Sequence, residues 1–278
     1  MSVRTLPMLA LAALVVTACS DPVGAPRTAN APPSLIVNGT PTGSAYASVG
    51  ALMFDYDANG VLDGDDEWCT GSLISPTVFL TAAHCVVTPY TPPGSQFYVS
   101  FAPDLYAVGI KVVAATGYAY DPAYGHDAAN LHDLAVIFLP ASETQGLTPY
   151  RLPAGGELDA LAAKGGLRNA IFINVGYGTS ATRTGPPAFP FDGKRSVSES
   201  EFMALRPYWL GLLMNTRATG LGGDCYGDSG GPKFLKSNPG VVYATVTTGD
   251  LPCRATTWDY RTDTDDARAF LGQFVSLP

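Results

Sequence analysis

The segment Gly223-Asp224-Cys225-Tyr226-Gly227-Asp228-Ser229-Gly230-Gly231-Pro232, "GDCYGDSGGP", sets one serine among four glycines. A serine hydroxyl is a poor nucleophile at neutral pH until an imidazole takes its proton, and a carboxylate must hold that imidazole in the right tautomer. Residues 227–231 also satisfy G-x-S-x-G, the nucleophile elbow of α/β-hydrolases, whose chain order is Ser, then Asp or Glu, then His. The three histidines are His84, His126 and His132, all of which precede Ser229. No imidazole follows the serine, so the elbow reading fails and the order His, Asp, Ser is left.

Working outward, "LTAAHC" ends at His84 and Cys85, and "HDLAVIFL" carries Asp133. Taken alone, His84 reads as a satisfied core histidine and Asp133 as a strand-end cap. Together with "IVNGT" from Ile36, "CTGSLISPTVFLTAAHC" from Cys69, "VGYGTS" from Val175 and "CYGDSGGP" from Cys225, they form an ordered set spanning most of the chain. This set resembles the chymotrypsin/trypsin-like serine proteases. The phrases "LMNTRATGLGGDCYGDSGGPKFL" and "CRATTWDYRTDTDDARAFLGQFV" are most similar to bacterial trypsin-like members.

The resemblance implies an all-β fold of two antiparallel six-stranded barrels, about residues 36–150 and 151–278, with the site in the cleft between them. It assigns His84 as general base, Asp133 as its orienting carboxylate and Ser229 as nucleophile, with the N–H groups of Gly227 and Ser229 as oxyanion hole. It pairs Cys69 with Cys85 and Cys225 with Cys253. It also implies that Ile36, once freed by cleavage, turns inward to pair with Asp228. A basic residue usually precedes that cut; here it is Leu35.

The specificity pocket departs from the pattern. The residue six before the nucleophile is Gly223, where trypsin-like members have Asp; Asp224 follows, and Thr248 stands where Trp is frequent, next to Gly249. Trp258-Asp259 falls near another pocket position. A carboxylate from Asp224 or Asp259 reaching the pocket would select Arg or Lys through a charge-assisted bond. If neither reaches it, a small or apolar side chain is favoured.

The composition agrees with a loop-rich β protein. Of 278 residues, 46% are apolar and 14% charged, with 30 Gly and 23 Pro. The formal charge of −8 gives no nucleic-acid footprint. Short apolar or alternating runs predict strands over Val49 to Phe54, Val78 to Thr81, Phe97 to Phe101, Val108 to Ala114, Leu134 to Leu139, Ala170 to Val175 and Val241 to Thr247. Ala267, Phe270, Leu271 and Phe274 recur on one face after an acidic start and predict a C-terminal helix. Residues 203–215 read as a short helical piece.

Residues 1–18 read as an export signal: Arg4, then an apolar run too short to span a bilayer. Val16-Thr17-Ala18-Cys19 resembles a bacterial lipobox that would lipidate Cys19; ordinary cleavage near "VTA" is the alternative. Five cysteines leave one over after two pairs, which lipidation of Cys19 explains. Residues 19–35 then form a tether or pro-segment, and a cut before Ile36 would release a lipid-tethered zymogen as it is activated.

Residues Asp55 to Asp66 partly match a calcium loop, with Asp at positions one, three, nine and twelve, Asn at five and Gly at six; the alternative is a solvated turn around "ANG". Otherwise no metal or other cofactor is expected. The functional expectation is an exported, monomeric serine endopeptidase acting on peptides or proteins, touching a membrane only through Cys19. The rival is a catalytically silent protease-like binding module at the cell surface.

Overall fold

The computed structural model describes residues 36–181 and 187–278. The export-signal, lipidation and tether readings for residues 1–35 lie outside these residues. Among the described residues, no helix is long and apolar enough to cross a membrane.

Among the described residues, fourteen strands run in order: β1 Thr40–Pro41, β2 Val49–Met53, β3 Glu67–Ser75, β4 Val78–Thr81, β5 Tyr98–Ser100, β6 Val112–Ala114, β7 Gly117–Tyr120, β8 Ala135–Phe138, β9 Ile171–Gly176, β10 Ser196–Leu205, β11 Trp209–Leu213, β12 Pro232–Leu235, β13 Asn238–Gly249 and β14 Thr256–Arg261. Three short helices accompany them, α1 Glu157–Ala163, α2 Thr216–Thr219 and α3 Asp265–Leu271.

As expected, the strands form two antiparallel, barrel-like sheets, in which seven strands each are counted. The second follows β10-β11-β14-β13-β12-β9 and closes by β9 pairing back onto β10, a six-stranded ring to which β1 adds at the start of β10. The first follows β6-β5-β2-β3-β4-β8-β7. Its two end strands are neighbours in the chain. Between them the Ala115 N–H donates to Phe97 O and the Thr116 N–H to Phe138 O, so one bent segment passes from β5 to β8. The bend divides what would be a sixth strand in two.

Alternation fills each interior. Leu52, Leu73, Phe79, Val99, Val113 and Ile137 pack inside the first sheet, and Phe172, Leu210, Leu212, Val241 and Tyr243 inside the second. This period-two burial also overturns the helical reading of residues 203–215. Leu210 and Leu212 both point inward, so the segment folds as β10 turning into β11. Helix α1 was not expected; only Leu158 is deeply buried and Leu161 packs beside it half-buried, too few apolar positions over seven residues to set a period. Helix α3 forms where expected, capped by Thr264, whose side chain accepts from the Ala267 N–H.

Each end of the domain crosses to the opposite sheet. β1 joins the second sheet, and Val37 bridges to Gly223 there. At the other end, Phe270 and Leu271 pack with Val78, Leu80 and Val136 of the first sheet. The division near residue 150 therefore describes the sheets but not these straps.

Arg195, 1% exposed, ties the two sheets together. Its guanidinium donates to Val49 O, Phe101 O, the Tyr177 hydroxyl, Gly43 O, Ala45 O and Thr42 Oγ1. Only a planar fork of five N–H groups serves so many oxygens at once. Arg195→Lys should lower unfolding free energy by roughly 3 kcal/mol, because buried acceptors lose their donors. Urea denaturation measures this, and an unchanged midpoint would mean that the network is dispensable.

Candidate active site

His84 sits in a single 3-10 turn, Ala83–Cys85, directly after β4. Asp133 precedes β8, which pairs with β4, so adjacent strands deliver the two residues side by side. Asp133 is fully buried, and both its oxygens serve His84: Oδ1 accepts from the backbone N–H at 2.9 Å and Oδ2 meets Nδ1 at 2.7 Å. Burial opposes charging the imidazole, but the Asp133 carboxylate outweighs it and raises the His84 pKa. That is the electrostatic arrangement of a base whose protonated form is stabilised. His132 turns away; its backbone has φ +55° and its Nδ1 meets Asp121 Oδ2 at 3.0 Å.

Two disulfides frame the site, Cys69–Cys85 beside His84 and Cys225–Cys253 beside Ser229. Ser229 lines a cavity of about 180 Å³ together with Met214, Asp224, Val246, Gly249 and Thr257. Across the loop, Tyr226 donates its hydroxyl to Leu251 O at 2.9 Å, and its ring packs edge-on against Phe189.

The serine loop is held from the first sheet by a residue the sequence gave no reason to single out. The Thr70 N–H donates to Ser229 O at 2.9 Å, and the Thr70 hydroxyl donates to Gly227 O at 2.9 Å. From the other side, Asp228 accepts the Gly178 N–H at 2.9 Å and the Cys225 N–H at 2.8 Å. A side chain at Gly178 would collide with this carboxylate, so "VGYG" is Gly-rich because the backbone must approach Asp228 closely. Gly227 has φ +94°, open to glycine and strained for other residues.

Ile36, fully buried with φ +56°, is anchored by the pairing of Val37 with Gly223. In the uncut chain the hydrogen bonds to Asp228 come from Gly178 and Cys225, not from Ile36. Burial, reinforced by the charge of Asp224, pushes the Asp228 carboxyl up to about 8.

Glu67 is a second residue that the sequence left unmarked. Its Oε1 is buried without a hydrogen-bond partner, and its carboxyl packs against Gly227, where a Cβ would come within 2.9 Å of Oε2. Burial and the nearby Asp228 raise its pKa well above the carboxylate range. Nothing in the local sequence marks Glu67, because its neighbours lie across the fold.

The pocket corrects the expectation of a free carboxylate. Asp224 lines the cavity, but its Oδ2 is salt-bridged to Lys233. Asp259 is fully buried and does not line the cavity; its Oδ1 accepts from the Thr257 hydroxyl and lies 3.6 Å from Lys233 Nζ. Gly223 also sits off the cavity, against the Met214 side chain. Trp258 packs against Gly211, not into the pocket. Of the four pocket candidates, Asp224 and Gly249 line the cavity.

The acidic loop is closed by its own bonds. Asp55 accepts from Asn59 and Gly60 N–H, Asp57 from Asn59, and Asp66 from Tyr56 and Asp63 N–H. Carboxylate oxygens of Asp55, Asp57 and Asp66 converge within 4.8 Å, a donor type that calcium takes, yet each carboxylate already organises the turn. Asp63 also caps the 3-10 turn Gly64–Asp66.

With this geometry in view, a family profile described as Trypsin matches residues 52–269. The chain belongs to the trypsin family. This trypsin-family chain is 29% identical over 220 residues to "Glucanase inhibitor protein 4" of Phytophthora infestans, covering 74% of this chain and 78% of that protein. It is 29% identical over 216 residues to "Collagenase" of Hypoderma lineatum, covering 70% and 72%. Among solved structures, HL collagenase superposes with TM-score 0.60 at 21% identity over 86% of this chain and 97% of that one. Human heparin binding protein does so with TM-score 0.59 at 18% over 86% and 96%. These relatives are eukaryotic, so the resemblance to bacterial members finds no support in them.

A raised Asp228 has a consequence for stability. The folded uncut chain keeps a proton that the unfolded chain gives up, so stability should fall as pH rises from the ordinary carboxylate range of about 4 towards about 8. Asp228→Asn should flatten that decline in denaturant midpoints measured across the window. Equal slopes in both proteins would show that Asp228 is already ionised.

Proposed function

We propose that this trypsin-family chain is a serine endopeptidase hydrolysing peptide bonds through an acyl-enzyme. The observation that carries the reading is the His84–Asp133 pair, with both Asp133 oxygens committed to His84, while the adjacent Cys85 places its Sγ 3.8 Å from Ser229 O. In this reading His84 takes the Ser229 proton as Oγ attacks the substrate carbonyl, and Asp133 stabilises the imidazolium that forms. The N–H groups of Gly227 and Ser229 stabilise the developing oxyanion. His84 then returns the proton to the leaving amine, and a water activated by the same imidazole releases the acyl group.

Activation fits the same frame. A cut before Ile36 would supply an ammonium to Asp228, a buried carboxyl that accepts the Gly178 and Cys225 N–H groups in the uncut chain. The collagenase similarity supports a protein substrate, and the two disulfides support secretion into an oxidising compartment. The similarity to a protein named as a glucanase inhibitor favours a second reading, a protease-like domain that binds without cleaving.

Labelling with a serine-reactive phosphonate separates the two readings. After cleavage before Ile36, wild type should be modified at Ser229, while His84→Ala should react at least about a thousandfold more slowly. A correctly cut wild type that stays unlabelled leaves the binding module as the better reading. Hydrolysis of peptide rather than only ester substrates completes the assignment.

A further inference from the structure

Lys233 on β12 is fully buried beside the pocket, a place where an ammonium is costly unless every N–H is used. Its three donors match three oxygens. Nζ is salt-bridged to Asp224 Oδ2, donates to Asn174 Oδ1 at 2.8 Å and lies 3.6 Å from Asp259 Oδ1. Asn174 is fixed in turn, since its Nδ2 donates to Ser198 Oγ at 3.0 Å and Ser200 Oγ at 2.8 Å. The lysine is therefore built into the interior of the second sheet and is not a side chain that a substrate can displace.

Asp224 is the member of this cluster that lines the cavity. Met214, Val246, Leu251 and the Cys225–Cys253 bridge give the cavity apolar walls, and Asp250 and the threonines Thr247, Thr248 and Thr257 complete its lining. Asp259 adds little charge, because burial pushes its carboxyl up to about 8 despite the adjacent Lys233. Lys233 thus offsets the charge of Asp224, while Asp250, the other carboxylate lining the cavity, is taken up by the Arg254, Ala255 and Thr256 N–H groups.

We propose that Lys233 is a specificity-determining residue, an internal counter-ion that occupies Asp224 and sets the pocket for an uncharged, apolar side chain of Leu or Phe size. An incoming Arg or Lys would meet a carboxylate already paired and a second cation immediately behind it. The inference rests on the protease reading only in taking this cavity as the place where the substrate side chain enters.

Binding of benzamidinium, compared with its neutral isostere benzamide, tests the idea by calorimetry on the full chain without requiring catalysis. Wild type should favour the neutral probe, and Asp224→Asn should leave its weak affinity for benzamidinium unchanged within twofold. Lys233→Met should gain at least tenfold for the cation, and adding Asp224→Asn to it should remove the gain. Tight benzamidinium binding by wild type that is lost in Asp224→Asn would overturn the proposal. So would a folded Lys233→Met protein with no gain. If Lys233→Met does not fold, the wild-type and Asp224→Asn comparison still decides. A chain that binds as expected but resists phosphonate labelling would fail the protease reading and leave the pocket assignment standing.

Discussion

A carboxyl group with no access to water must be given donors or kept protonated, and Asp228 organises the centre of this protein around that requirement. Its two oxygens draw in the Gly178 and Cys225 N–H groups, which fixes the loop immediately before Ser229. Thr70 then holds the same loop from the other sheet through Gly227 O and Ser229 O. The serine's backbone is thereby clamped between the sheets by hydrogen bonds to main-chain atoms, which leaves its side chain available at the cavity wall. Glu67, an acid packed against Gly227 with a buried oxygen that has no hydrogen-bond partner, adds a second carboxyl group to this region.

The second sheet solves the opposite problem. Its interior contains Asp224 and Asp259, and Lys233 supplies the missing positive charge from within the chain. Removing one partner of such a group leaves an uncompensated buried charge, so the cluster constrains which side chains the adjacent cavity tolerates. Two neighbouring regions thus differ in kind: the cluster behind the pocket is held by a salt bridge to Lys233, whereas Asp228 is held by backbone N–H groups.

The architecture makes both arrangements possible because neither sheet stands alone. β1 and Val37 belong to the second sheet although they begin the described chain, and α3 packs on the first although it ends it. Arg195 adds a cross-link of hydrogen bonds to Val49 and Phe101 on one side and Tyr177 on the other. The two sheets are therefore joined at several points, and Thr70 of the first sheet reaches the serine loop of the second through Gly227 O and Ser229 O.

Much of this was legible in the residues themselves. Segments such as Val78 to Thr81 announce strands because alternation reports one buried face, and the order His84, Asp133, Ser229 excludes the elbow fold by simple precedence. The helix from Asp265 was readable from its spacing and its Thr264 cap, whereas α1 was too short to leave a period. What local pattern could not reveal was which charged groups meet. Asp224 and Asp259 look like free pocket carboxylates in the chain; only the closing of β12 beside β9 and β13 brings Lys233 onto them. Glu67 and Thr70 are ordinary strand residues until the first sheet docks on the serine loop. Residue type and period were enough for the family, the order of His84, Asp133 and Ser229 and most strand positions. The tertiary structure alone decided the charge state of the pocket and the support of the serine loop, because both depend on distances between residues far apart in the chain.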